Sequence, residues 1–227
     1  MEQAKKRLLS AFAKIYEEAE QAEKAHWDES GLSFNPDTHD EGSLAEAARD
    51  HGVVFYQMLS EMHERTRLSI VAGMYHHWDK SWRRFLVEQL RWPGLVPGPR
   101  TRRLLWRLES VKLETLLHAF GLDVRSFPDF LRLDAMRLVV KVFKHGEGAS
   151  FDDLQKLYPS FVPPPLVGWV STHPDDTNMR VTDTQLDEFA RAIESFWRSV
   201  PYELTFDANA ELQLPKEFER ALRDDMA

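Results

Sequence analysis

Between Leu44 and Arg91 the chain carries no proline, and apolar residues return at three- and four-residue steps almost throughout. One series runs Val54, Met58, Leu59 and Met62. A second runs Ile70, Val71, Met74, Tyr75, Trp78, Trp82, Phe85 and Leu86. That period belongs to helices rather than strands. The span reads as two joined helices or as one long bent helix, with Gly52 and Gly73 as its weak points. Antiparallel helical neighbours are the natural way to bury such stripes. A firm break follows, where Pro93, Gly94, Pro97, Gly98 and Pro99 crowd the segment from Trp92 to Arg100.

The rest of the chain repeats the helical pattern. Gln3 to Trp27 has Leu8, Phe12, Ile15 and Tyr16 as its stripe, and Asp28 to Gly42 is loop. Ser43, with Glu46 three residues on, has the form of a capping box. Thr101 to Phe120 reads as one helix ended by Gly121. Ser126 to Tyr158 contains a long apolar helix, which Ser126 is expected to cap, with Pro128 in its first turn. Its HGEGAS connector leads to a shorter helix opened by Ser150 and Asp153. Pro159, Pro163, Pro164 and Pro165 then demand irregular backbone. Thr182 with Gln185 opens a further helix. LVGWV reads as a short strand or a buried loop anchor, YELTF as a short strand or an extended arm, and KEFERALRDDMA as a terminal helical turn. The expected fold is all-α: a helical bundle over 1–158, with its core at about 44–158. A proline-rich, partly irregular C-terminal extension over 159–227 carries one clear helix and packs on the bundle.

Composition narrows the function classes. The chain has 227 residues and a formal net charge of -8, which argues against broad coating of nucleic acid but leaves room for a local basic groove. Cysteine is absent, so disulfides, thiolate nucleophiles and thiolate metal sites are excluded. No apolar run is long enough to span a membrane, and MEQAKKRLLSAF does not read as a signal peptide. A cytoplasmic protein without a cofactor is expected. The acidic residues Asp175, Asp176, Asp183, Asp224 and Asp225 match no calcium loop, and adjacent His76 and His77 make a poor metal pair, so no metal site is expected. The phosphate-binding GxxxxGK[ST], nucleophile-elbow GxSxG and dinucleotide GxGxxG patterns are missing.

Three basic groups remain. Arg137, Lys141, Lys144 and His145 lie toward one side of the long apolar helix, where successive members can reach a common patch. Cations there can hold phosphate oxygens, and a histidine suits acid–base work on a ribose hydroxyl. The same residues also suit a helix C-terminus, where positive charge is favoured, and Asp134 stands at pairing distance from Arg137. His76, Lys80, Arg83 and Arg84 flank the Trp78–Trp82 stripe as a second basic face. Arg100, Arg102 and Arg103 in PGPRTRR form a short basic loop after prolines that can touch RNA or DNA, and more simply read as residues that solubilise a helix start.

The segment LRLDAMRLVVKVFKHGEGAS resembles the last core helix of the HEPN-like all-helical superfamily. Lys144, His145 and Gly146, then Ser150 and Leu154, carry that likeness. FYQMLSEMHERTRLSIVAGMYHHWDKSWRRFL resembles the preceding paired helices. The likeness covers roughly residues 50 to 160 and is nearest to uncharacterised bacterial members associated with defence or toxin–antitoxin systems. It implies a helical bundle, homodimerisation, a protein partner such as an antitoxin and, in many relatives, metal-independent endoribonuclease activity. It places His145 at the catalytic histidine, with Arg137 or Lys141 as electrostatic partner. Lys144, His76, Lys80, Arg83 and Arg84 would contact RNA. The seven residues between Arg137 and His145 exceed the interval of the active motif, and Lys141 stands where a polar residue is expected. Two readings therefore stay open: a structural or interaction module, and an endoribonuclease acting through 2′-hydroxyl attack.

Overall fold

The computed structural model describes residues 1–90, 97–164, 174–202 and 214–227. Among them the secondary structure is helical, with no strand. The elements are α1 (Glu2–Ala4), α2 (Ile15–Gly31), α3 (Glu41–Gln89), α4 (Pro99–Arg107), α5 (Ser110–Ala119), α6 (Phe130–His145), α7 (Ala149–Leu157), α8 (Asp183–Ser199) and α9 (Lys216–Met226). LVGWV, and YELTF after Tyr202, lie outside the described residues.

The chain divides into two compact units, one of residues 1–70 with 180–182 and one of residues 71–179 with 183–227. The division falls within α3.

In the first unit, π-helical (Lys5–Leu9) and 3-10 (Ser10–Phe12) turns separate α1 from α2, so the expected first helix is broken. Phe12 stacks on His63 at 4.9 Å between ring centroids, and His26 on His51 at 4.7 Å. Gly52 faces the Ala19 carbonyl and the Glu23 side chain, leaving no room for a Cβ. Asp40, rather than Ser43, caps α3: its carboxylate accepts from the Ser43 amide and hydroxyl, both at 2.8 Å. The Ser43 hydroxyl bond, and then its amide bond, hold the Asp40 carboxyl below the usual range. The proline-free stretch is one continuous helix, α3, which settles the question its pattern left open.

The second unit is built around α6. Leu133, Ala135, Met136, Leu138, Val139, Val140 and Val142 of that helix are buried, and α7 and α8 pack on it. Aromatic side chains close the layers. Phe196 of α8 meets Trp82 and Trp78 edge-on at 4.8 and 5.1 Å, and Phe161 stacks on Phe189 at 5.6 Å. Phe120 meets Phe218 of α9 at 6.0 Å. Each such buried side chain contributes about 1.5–3 kcal/mol.

Local chemistry explains several ends. The expected helix from Thr101 to Phe120 is two helices, because Leu108 and Glu109 are extended, with ψ of 134° and 152°. α5 ends in a Schellman turn, with the Leu122 amide bonded to the Leu117 carbonyl and that of Gly121 to His118. α6 starts at Phe130, after Asp129 in the left-handed region (φ 62°), so neither Ser126 nor Pro128 belongs to its first turn. Gly146 and Gly148, at φ 72° and 140°, form the link to α7 in conformations that L side chains rarely adopt.

Candidate functional site

The basic row of α6 divides into a fixed part and an open part. Arg137 is fixed. Its Nε and Nη2 donate to Asp134 Oδ1 at 2.9 and 2.6 Å, and its side chain is 15% exposed. The other oxygen of Asp134 accepts from the Tyr158 hydroxyl at 2.9 Å. The Asp134 carboxylate therefore joins α6 to the residue that follows α7. Burial, then the hydrogen bond and charge of Asp134, push the Tyr158 phenol up to about 12. Tyr158 thus holds its proton and acts as a donor at neutral pH. The Asp134–Arg137 pairing has the spacing of three that the sequence offered; Tyr158 as its second partner had no sequence signal.

The open part begins one turn later. Lys141 is half-buried, Lys144 and His145 are exposed, and none of the three has a hydrogen bond or ion pair among the described residues. Lys144 and His145 form the basic last turn of α6, and the Gly146 amide closes that end on the Val142 carbonyl at 2.8 Å. Positive charge is favoured there by the helix dipole. Arg137 and His145 are separated by about 12 Å of helix rise. Asp134 moreover draws the guanidinium toward the helix start, away from His145. These two side chains do not form an assembled acid–base and oxyanion pair.

The second basic face also divides. His76, Lys80 and Arg84 are exposed on α3. Arg83 is not on an exposed face as expected: it is 6% exposed, its Nε donates to Asp79 at 2.8 Å, and its Nη1 donates to the Leu105 carbonyl of α4. The cause is its position one turn after Asp79, on the side of α3 that meets α4. Such a guanidinium is a structural tie rather than a phosphate ligand. The Asp79–Arg83 spacing of four was the available warning.

Nearby polar groups complete the interior. The Tyr75 hydroxyl lies 3.2 Å from Ser110 Oγ. Burial pushes the Tyr75 phenol up, with the Ser110 bond opposing it. A cavity of about 30 Å³ lies among Trp78, Asp79, Trp82, Ser110, Phe130 and Phe196. That is room for about one water. A cleft of about 270 Å³ is lined by Glu114, Thr115, His118, Asp123, Val124 and Arg125, and its Glu114 and Arg125 pair at 3.0 Å. No residue of either basic face lines it. Among the described residues no cluster of three histidine or acidic side chains is placed to hold a metal ion, and no helix is long and apolar enough to cross a membrane.

No protein-family model matches this chain, and neither does any curated protein or solved structure.

Proposed function

We propose that the chain is a HEPN-like helical interaction module, a cytoplasmic subunit of a bacterial defence or toxin–antitoxin system whose partner is a protein. The observation that carries this reading is the commitment of Arg137 to Asp134, with Asp134 in turn anchored by Tyr158. A guanidinium held this way cannot meet a developing phosphate charge beside His145 without breaking a part-buried pair. On this reading the chain forms a homodimer, and the proline-rich, partly irregular extension from residue 159 wraps the bundle.

The test is cleavage of mixed cellular RNA by the purified protein in EDTA, beside Arg137→Ala and His145→Ala. The expected result is intact RNA in all three. Cleavage by the parent that disappears in His145→Ala overturns the reading.

The open state of Lys141, Lys144 and His145 favours a second reading, a metal-independent endoribonuclease. His145 would take the proton of the attacking 2′-hydroxyl and Lys141 would face the phosphate charge, without Arg137. His76, Lys80 and Arg84 would then contact the RNA backbone. That chemistry breaks the bond from phosphorus to the 5′-oxygen, which leaves as a 5′-hydroxyl after taking up a proton, and closes a 2′,3′-cyclic phosphate, so the product ends distinguish it from a contaminating metal nuclease.

A further inference from the structure

α4 differs from the other helices in the make-up of its outer side. Its sequence, PRTRRLLWR, holds four arginines and no acid. Thr101 and Leu105 are fully buried and fix its inner side. With these pointing inward, the 3.6-residue period turns Arg100, Arg102, Arg103, Trp106 and Arg107 outward. All four arginines are exposed, and Trp106 is 44% exposed. Arg102, Arg103 and Arg107 have no hydrogen bond or ion pair among the described residues. On a protein of net charge -8, this is a cationic strip with an indole set between its charges.

The chain itself shows that the start of this strip accepts anions. The Asp225 carboxylate receives the Arg100 amide at 2.9 Å and the Thr101 amide at 2.8 Å. Asp224 pairs with the Arg100 guanidinium at 3.0 Å. Gly98 permits this approach, since a Cβ there would lie 2.5 Å from the Asp225 carboxyl carbon. The carboxylates of α9 thus occupy the first turn of α4 and stop there, leaving Arg102, Arg103 and Arg107 open beyond them.

We propose that the outer side of α4 binds single-stranded nucleic acid, with Arg102, Arg103 and Arg107 on the phosphates and Trp106 stacked on a base, and that Asp224 restrains it by holding Arg100. Arginine matches phosphate oxygens in a planar fork, and every base has a face on which an indole can stack. An unpaired strand is the form that offers both along a short helix. This inference goes beyond the interaction-module reading and does not use His145. It concerns binding alone, so the outcome of the cleavage test does not decide it.

The test is fluorescence anisotropy of 5′-labelled oligo-U and oligo-dT twelve-mers with the full-length chain, in EDTA at 50 mM salt. The parent is expected to bind at least one of them saturably. Arg102→Ala with Arg103→Ala should weaken binding about tenfold or more and reduce the slope of log affinity against log salt by about 1.4, the value for two phosphate contacts on a single strand. Trp106→Ala should weaken it at least about fivefold. Asp224→Asn should tighten it by more than Asp152→Asn, which makes the same charge change in the first turn of α7. Binding of either probe or of both supports the proposal, and which of them binds separates recognition that depends on the sugar from general recognition. No binding of either overturns it, as does an affinity and salt slope unchanged by the double arginine variant. Circular dichroism of each variant checks that the helices persist.

Discussion

The two halves of α3 show how differently one helical pattern can be used. Residues 41–70 belong to the first unit and 71–89 to the second. In the first, Val54, Met58 and Met62 recur at four-residue steps and are 63%, 48% and 49% exposed. In the second, Val71, Trp82 and Leu86 are buried. The buried apolar residues of the first unit are Leu9, Ala19, Ala48, Leu68 and Val181, two of them alanines. The second unit holds the other buried apolar side chains among the described residues, from Val71 to Phe218. Periodicity makes a helix in both places. A core forms only where further helices cover the stripe, because packing of an apolar face supplies most helical stability.

Urea unfolding should sharpen this contrast. Phe189→Ala removes a fully buried ring that stacks on Phe161 and should cost about 3–5 kcal/mol. Arg83→Ala leaves the Asp79 charge and the Leu105 carbonyl without a partner and should cost about 3 kcal/mol. Arg137→Ala loses a part-buried pair and should cost about 1–3 kcal/mol. Met58→Ser, on the exposed stripe, should stay within about 0.5 kcal/mol in dilute protein. A Met58→Ser loss as large as that of Phe189→Ala would break the comparison, since it would mean the stripe is covered in solution.

The tyrosine on Asp134 adds a pH signature. Its folded-state pKa is raised from the ordinary 10.0 of a tyrosine to about 12. The stability it brings is therefore complete below about 10 and is lost as pH rises through about 12. Phenolate absorbance should show this late titration, and Asp134→Asn should bring it down. A Tyr158 that ionises near 10 in the parent would dissolve the Asp134–Tyr158 link.

Much of α6 was legible in the sequence. Its apolar face, its end at Gly146 and the Asp134–Arg137 spacing all follow from local steps along one helix. Arg83 departs from the exposed face that its neighbouring charges suggest, because Asp79 four residues earlier allows a buried pair. The break at Leu108–Glu109 carries neither proline nor glycine, so the pattern ran through it. The partners Tyr158 on Asp134 and Asp225 on α4 are separated by 24 and 125 residues, beyond the reach of any local rule. The candidate site was thus half visible: the row could be read, but its division into fixed and open cations depends on contacts from elsewhere.

The capping of α4 by Asp225 has a consequence for time rather than for geometry. Arg100 precedes its carboxylate partner by 125 residues. At ordinary synthesis rates of about 5–20 residues per second, Arg100 is made between about 6 and 25 s before that partner. For that interval its first amides and all four arginines stand open together. The nascent chain therefore passes through a stage more cationic along this helix than the finished protein, and the arrival of α9 ends it.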